Sequence, residues 1–179
     1  FFLGRGSKVT EPYRLIPNSV WPRKEIEALA PNAAALAQYN WGTRLSDDYR
    51  LRVFPIWRDL TFHGNTAIQL SGTAALTEAA QLRNGAAAMN LAGRQLQWVF
   101  GGNPFSQSLM YGEGYDFQPH FAYCLRNLVG SLPVGVDSRR DDLPHWSATN
   151  TATYKEIWVV PVGRLLWSLA YASTRARVT

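Results

Sequence analysis

Glu156 and the sixteen residues from Gly101 to Asp116 are the parts of this chain whose residue types could do chemistry. Glu156 stands in Tyr154-Lys155-Glu156-Ile157-Trp158-Val159-Val160-Pro161, a single carboxylate at the head of an apolar run. Proline is tolerated in the first turn of a helix and disrupts it deeper in, so a terminal helix is expected to start near Pro161, with Glu156 just outside its N-terminus. The helix dipole at that place stabilises an anion, whereas Ile157, Trp158, Val159 and Val160 could desolvate the carboxylate and favour its protonated form. A carboxylic acid that keeps its proton near neutral pH is what general-acid catalysis requires. A surface ion pair of Glu156 with Lys155 or an arginine is the other reading these residues allow.

The stretch from Gly101 to Asp116 packs Gly101, Gly102, Gly112 and Gly114, an Asn103-Pro104 step, Tyr111 and Tyr115, and the acids Glu113 and Asp116 into one loop. Glycines accept the left-handed backbone that stops a helix, and the residue before proline is held extended. A shaped loop on a rigid scaffold is where binding residues concentrate, although the same composition also makes simple structural turns. Aromatic residues make up 13% of the chain, enough to offer faces to flat, amphipathic ligands such as sugars.

Several elements must position these residues. Asn65 is a plausible N-cap, and Ile68, Ala75, Ala79 and Leu82 then fall on one helical face. Asn84-Gly85 makes a turn, after which Ala88, Leu91, Ala92, Gln95 and Val99 continue the periodicity. The spacing predicts two helices, about 65–83 and 86–100, in an antiparallel hairpin, with small residues that let helix axes approach closely. The terminal helix would carry Val162, Leu165, Leu166, Leu169 and Ala170 on one stripe. Between these lies a long irregular passage, 117–153. Residues 1–62 read as a loop-rich segment with weak helices at 23–29 and 32–39, broken between Pro31 and Asn32, and an extended piece at Arg50–Phe54. Residues 63–179 carry the helical hairpins and the loops, and the length suits one domain. The expected fold class is all-α.

Composition excludes several classes. The net charge of +5 arises from 18 basic and 13 acidic residues without a dense basic tract, which is not the stripe that nucleic acid would select. One cysteine, Cys124, leaves no internal disulfide framework and no cysteine-based zinc site. The longest apolar run, from Ile157 to Leu169, is interrupted by Pro161, Gly163 and Arg164, so no membrane span is expected. His63, His120 and His145 stand at no metal-ligand spacing. Asp137, Asp141 and Asp142 could contribute to a structural calcium site, and no other cofactor is expected. Phe1-Phe2-Leu3-Gly4, with no initiator methionine, reads as an internal start: a processed chain or a piece of a longer one.

Two segments, in order and spacing, carry a family resemblance over roughly residues 62–172. Trp98-Val99-Phe100-Gly101-Gly102-Asn103-Pro104-Phe105-Ser106-Gln107-Ser108, continuing through Gly112 to Pro119-His120, resembles the helix and loop of glycoside hydrolase family 9, in which a Leu-Gly-x-Asn-Pro-like step leads to Pro-His-His-Arg. Glu156 and the apolar helix to Ala170 resemble that family's terminal Asn-Glu-Val segment and the helix after it. The chain departs from the pattern where Phe121 and Ala122 replace the second histidine and the arginine, which points to a divergent branch.

The resemblance implies the C-terminal part of an (α/α)6 barrel, in which Glu156 protonates the leaving oxygen and His120 contacts the sugar. It also implies a glycosidase that works through two carboxyl groups on a poly- or oligosaccharide. No Asp-Ala-Gly-Asp-like base motif occurs here, so the other half of the barrel would be a companion chain or an N-terminal half. Asp59, and Glu113 or Asp116, are possible substitute second carboxylates. Tyr111, Glu113, Tyr115, Asp116, His120 and Trp146 would bind substrate, and a secreted or periplasmic location would follow. Two alternatives stand beside this reading. One is a polysaccharide lyase, with Tyr115, His120 or Tyr123 as base and Arg126, Arg139 or Arg140 neutralising a uronate. The other is a non-catalytic sugar-binding helical segment.

Overall fold

In the computed structural model, which describes residues 2–29, 33–54, 64–122, 128–138 and 140–175, three helices frame the molecule. Helices α3 (Thr66–Leu82) and α4 (Ala86–Val99) form an antiparallel hairpin, and α6 (Val159–Arg175) packs along α3. Each hairpin helix ends on a left-handed residue. After α3, Asn84 (φ 49°) lets the Gly85 N–H reach back to the Ala80 carbonyl at 2.8 Å. After α4, Gly101 (φ 106°) lets the Gly102 N–H reach the Gln97 carbonyl at 2.7 Å. These bonds satisfy carbonyls that the last helical turn leaves orphaned.

Helix α6 runs beside α3 in the same direction. Near their C-terminal ends the Gln81 side chain donates to the Tyr171 carbonyl. Near their N-terminal ends both are tied to residues 132–136. The Asn65 and Thr66 N–H groups donate to the Val136 and Val134 carbonyls at 2.8 and 3.1 Å, and the Val134 N–H donates to the Glu156 carbonyl at 2.9 Å. Gly135 (φ 101°) permits this crossing, because a β-carbon there would overlap the Thr66 hydroxyl.

The hairpin boundaries fall within one residue of those expected, but the facing of α3 is reversed. Ile68, Ala75, Ala79 and Leu82 are exposed, Leu82 by 80%. The buried face is Thr66, Gln69, Leu70, Thr73, Ala74, Thr77 and Ala80. The Thr73 and Thr77 hydroxyls donate to the Gln69 and Ala74 carbonyls at 2.7 and 2.8 Å, so they enter the core with their polar atoms bonded. Helix α6 divides its expected stripe: Leu165 is buried and Val162 half-buried, while Leu166, Leu169 and Ala170 face outward. Helix α4 carries its stripe inside as expected, with Ala88, Leu91, Ala92, Gln95 and Val99 all buried. Asn65 precedes α3, yet its side chain donates to Gln69 Oε1 at 3.2 Å and makes no capping bond.

The N-terminal segment corrects the all-α expectation. Strands β1 (Ser19–Pro22), β2 (Thr43–Arg44) and β3 (Tyr49–Arg52) form an antiparallel sheet in the order β1-β3-β2, with Val20 and Thr43 flanking Leu51. Helices α1 (Arg23–Leu29) and α2 (Ala33–Asn40) occupy the two stretches expected to be helical; Pro31 and Asn32 lie outside the described residues. Leu15, Leu51, Val53 and Phe54 join Leu70, Trp98, Leu109, Leu132 and Leu165 in one core, so 1–62 and 63–179 share a hydrophobic interior. Gln95 staples them together: its Oε1 accepts from the Ile16 N–H and its Nε2 donates to the Arg14 carbonyl, each at 2.9 Å.

Within 117–153 the chain forms a short hairpin of β4 (Asp137–Ser138) and β5 (Pro144–His145). A four-residue helix, α5 (Ala152–Lys155), precedes Glu156. Among the described residues no helix is long and apolar enough to cross a membrane.

Candidate functional site

The glycine-rich loop follows α4 and Glu156 precedes α6, so both lie at the end of the frame where α3 and α6 begin and α4 stops. Asn103, 5% exposed, organises the loop: its Nδ2 donates to the Trp98 and Gln107 carbonyls at 2.8 Å each, and its Oδ1 accepts from the Phe105 and Gln107 N–H groups at 3.1 and 3.4 Å. One carboxamide thus satisfies both edges of the turn. The loop is then sewn down by Leu109 N–H to the Val99 carbonyl (2.8 Å), Ser108 N–H to the Asp116 carbonyl (2.8 Å), and a reciprocal pair in which Tyr111 N–H donates to the Ser131 carbonyl and Gly130 N–H to the Tyr111 carbonyl. Gly112 (φ 80°) and Gly114 (φ 83°) supply the left-handed turns that leave Tyr115 at the apex.

The Glu156 backbone is pinned from both sides. Phe121 N–H donates to the Lys155 carbonyl at 2.8 Å and Ile157 N–H to the Phe121 carbonyl at 3.1 Å. On the opposite edge the Gly135 and Val134 N–H groups donate to the Tyr154 and Glu156 carbonyls at 2.8 and 2.9 Å. The carboxylate is half-buried, and its Oε2 accepts the Trp158 indole N–H at 2.9 Å. Helix α6 begins at Val159 with Pro161 as its third residue, so Glu156 stands ahead of the helix N-terminus as expected.

Two details of the sequence reading are corrected. Val159 and Val160 are 86% and 52% exposed, so they form no apolar wall, and Ile157 and Trp158 are the half-buried neighbours. The pair with Lys155 does not form, and among the described residues Glu156 meets no arginine. Lys155 instead donates to Gln118 Oε1 and to the Ala148 carbonyl, the latter at 3.2 Å.

The other named residues are placed unevenly. Tyr115 is wholly exposed, and Glu113 and Asp116 are exposed beside it. Tyr111 is half-buried, with its ring centroid 5.1 Å from Phe117 and 5.9 Å from His120. His120 is 3% exposed and its Nδ1 lies 2.8 Å from the Ser131 hydroxyl. Burial pushes its imidazole down to about 4; a hydrogen bond with the Leu109 backbone opposes this and the Lys155 charge adds to it, so the ring is neutral at neutral pH. Trp146 is 8% exposed and packs in the core with the Lys155 ammonium 5.3 Å from its ring centroid, so it turns its ring inward. Asp59, His63, Tyr123, Cys124, Arg126 and Arg139 lie outside the described residues, as does the side chain of Arg140.

Of the three aspartates considered for calcium, Asp142 is committed elsewhere. Its carboxylate accepts from the Val53 and Phe54 N–H groups at 2.6 and 3.1 Å and faces Arg52 at 3.5 Å, both side chains being buried. Burial pushes Asp142 up to about 6 against the pull of Arg52 and the two N–H groups. Among the described residues no cluster of three metal-ligating side chains occurs. Clefts of about 540 and 490 Å³ open elsewhere, the first beside Arg14, Asn90 and Gln97 and the second between Tyr13, Pro104 and Asp141; neither includes Glu156.

Sequence reasoning passed over Asn103 as a hydrogen-bond hub, and it passed over Ser131, Gln107 and Gln118. Asn103 acts on its own turn, whereas Ser131, Gln107 and Gln118 bond side chains 9 to 37 residues away, for which a single sequence carries no periodic signal.

The architecture is therefore helix-rich: one long hairpin, α3–α4, with α6 beside it and a small antiparallel sheet sharing their core. No protein family's sequence profile matches the chain, and no curated protein matches it. Among solved structures it is similar to the cellulase Cel9M of C. cellulolyticum, with 20% identity and a TM-score of 0.47, and to the same cellulase in complex with cellobiose, with 21% identity and a TM-score of 0.48. Each match covers 61% of this chain and 28% of the cellulase chain.

Proposed function

We propose that this chain is a glycoside hydrolase, or the C-terminal part of one, in which Glu156 is the general acid that protonates the leaving glycosidic oxygen. The observation that carries the reading is the placement of Glu156. Its backbone is fixed between Phe121 and Val134, its carboxylate contacts a neutral indole and, among the described residues, no cation, and it stands at the helix end that carries the Tyr111 and Tyr115 loop. A carboxyl group held in place by a neutral donor can exchange a proton with a substrate. Tyr115 and the adjacent Glu113 and Asp116 offer a ring face and acceptors to a sugar, the combination that carbohydrates bind.

Glycoside hydrolysis needs a second carboxyl group, roughly 6.5–9.5 Å away in an inverting enzyme. Asp59, or a residue of a companion half, would supply it. The exposed apolar side chains of α3 and α6, among them Ile68, Leu82, Leu166 and Trp167, support a further helical part packing there, as an (α/α)6 barrel would require. A polymeric substrate outside the cell accords with a secreted or periplasmic location. His120, 3% exposed, offers no open face either to a sugar or as the lyase's base, so it supports neither reading, and the lyase alternative keeps Tyr115 among the described residues. The test is hydrolysis of plant or algal oligosaccharides by the wild type and by Glu156→Gln, with reducing ends and unsaturated products both measured. New reducing ends that disappear in the variant support the assignment. Equal rates remove Glu156 from the mechanism, an ultraviolet-absorbing product favours the lyase, and binding without turnover favours the sugar-binding segment.

A further inference from the structure

We infer that Lys155 is a positioning residue that holds Glu156 and the glycine-rich loop in one register through a chain of two glutamine carboxamides. The inference rests on the reading of Glu156 as the acid, and extends it to residues that touch no substrate. From the Lys155 ammonium a hydrogen bond runs to Gln118 Oε1, Gln118 Nε2 donates to Gln107 Oε1 at 2.8 Å, and Gln107 Nε2 donates to Asp116 Oδ2 at 3.0 Å. An ammonium only donates and a carboxylate only accepts, so the two ends of the chain fix both amides with their oxygens toward Lys155 and their nitrogens toward Asp116. Charged ends strengthen hydrogen bonds and give the chain one polarity.

Lys155 is 1% exposed, and no carboxylate among the described residues lies in ion-pair contact with it. Burial lowers its pKa from the usual lysine range. A buried ammonium carries a desolvation cost that an apolar side chain of the same length would not, so stability alone gives no reason for a lysine here. Its geometry does. Gln118 and Phe121 belong to one short stretch, and Lys155 grips that stretch twice: its ammonium holds Gln118, and its carbonyl accepts the Phe121 N–H at 2.8 Å. The Phe121 carbonyl then accepts the Ile157 N–H, so the two residues that flank Glu156 are both fastened to Phe121. Without the ammonium the stretch keeps its backbone bond at Phe121 and Gln118 keeps its bond to Gln107, but the side-chain link from Asp116 through the two glutamines to Lys155 is broken.

The Trp158 indole N–H, which donates to Glu156 Oε2, reports that carboxylate in a proton–nitrogen correlation spectrum with no substrate present. Lys155→Met and Gln118→Leu are expected to move this resonance by more than a linewidth, whereas Gln118→Glu, which keeps the acceptor for Lys155 and loses only the donor to Gln107, should move it less than Gln118→Leu does. Where turnover is measured, kcat of Lys155→Met should fall about tenfold while KM stays within about twofold, as expected when only transition-state placement is lost. If Lys155→Met does not fold, the two Gln118 variants carry the same comparison from a half-buried site. An unmoved Trp158 resonance in folded Lys155→Met, or in Gln118→Leu, overturns the inference whatever the activity. A moved resonance in a protein whose wild type hydrolyses no glycan supports the positioning role and removes the hydrolase reading instead.

Discussion

Arg52 and Lys155 are both buried cations, and the chain treats them oppositely. Arg52, 0% exposed, faces the Asp142 carboxylate at 3.5 Å, and that carboxylate also takes the Val53 and Phe54 N–H groups. Lys155, 1% exposed, is followed in sequence by Glu156 and does not pair with it; the ammonium turns to carbonyl oxygens of Gln118 and Ala148 and the carboxylate to Trp158. In the first place opposite charges consume each other and join the N-terminal sheet to the 140–142 turn. In the second, among the described residues each charge meets neutral partners only. The first arrangement builds structure, and the second is what a proton-transferring group requires.

The same contrast appears in the titrating groups. Burial pushes Asp142 up to about 6, above the value of about 3.9 for a free aspartate. Its contribution to stability is therefore full below about pH 4 and is lost as pH rises through about 6. Burial pushes His120 down to about 4, below the value of about 6.5 for a free histidine. Its contribution is full above about pH 6.5 and is lost as pH falls through about 4.

The largest expected effect breaks the paired site. Arg52→Met strands a buried carboxylate and should lower the unfolding free energy by about 3–5 kcal/mol in denaturant titration, and Arg52→Met combined with Asp142→Asn, which removes the charge and keeps an acceptor for the Val53 and Phe54 N–H groups, should recover much of that loss. A loss below about 1 kcal/mol for the single change would mean that the pair is not the structural joint described. Next come the opposed pH dependences, each up to about 3 kcal/mol. Between pH 4 and 6.5, Asp142→Asn should make stability rise more steeply with pH than in wild type, and His120→Gln should make it rise less steeply or fall. Thermal unfolding at several pH values measures both slopes, and changes of slope in the same direction relative to wild type would undo the contrast. The smallest effect is expected at the unpaired carboxyl: Glu156→Gln keeps an acceptor for Trp158 and should change stability by less than about 1 kcal/mol.

The sequence showed the helix ends better than the helix faces. Asn84-Gly85 and Gly101-Gly102 stop their helices through backbone conformations that only a few residue types adopt readily, so local residue type was enough. Pro161 likewise marked the start of α6. The facing of α3 was misread because hydrophobic periodicity assumes that apolar residues turn inward. Here Thr73 and Thr77 satisfy their hydroxyls on the preceding helical turn and pack inside, while Ile68 and Leu82 face out. Sheet β1-β3-β2 was legible only at Arg50–Phe54, since Ser19–Pro22 pairs across an intervening pair of helices. At the site, Glu156 and the loop were visible as residue types in a pattern. Lys155 was seen only as a partner for Glu156, because the glutamine it holds lies 37 residues away.

The account stands or falls on whether Glu156 transfers a proton to a glycosidic oxygen. The direct measurement compares release of reducing ends from plant and algal oligosaccharides by wild type and Glu156→Gln, after both are shown to be equally folded. The account predicts a fall in kcat of about 10²–10⁴-fold, the range that a lost general acid produces, with little change in sugar affinity. Equal rates in the two proteins would contradict it.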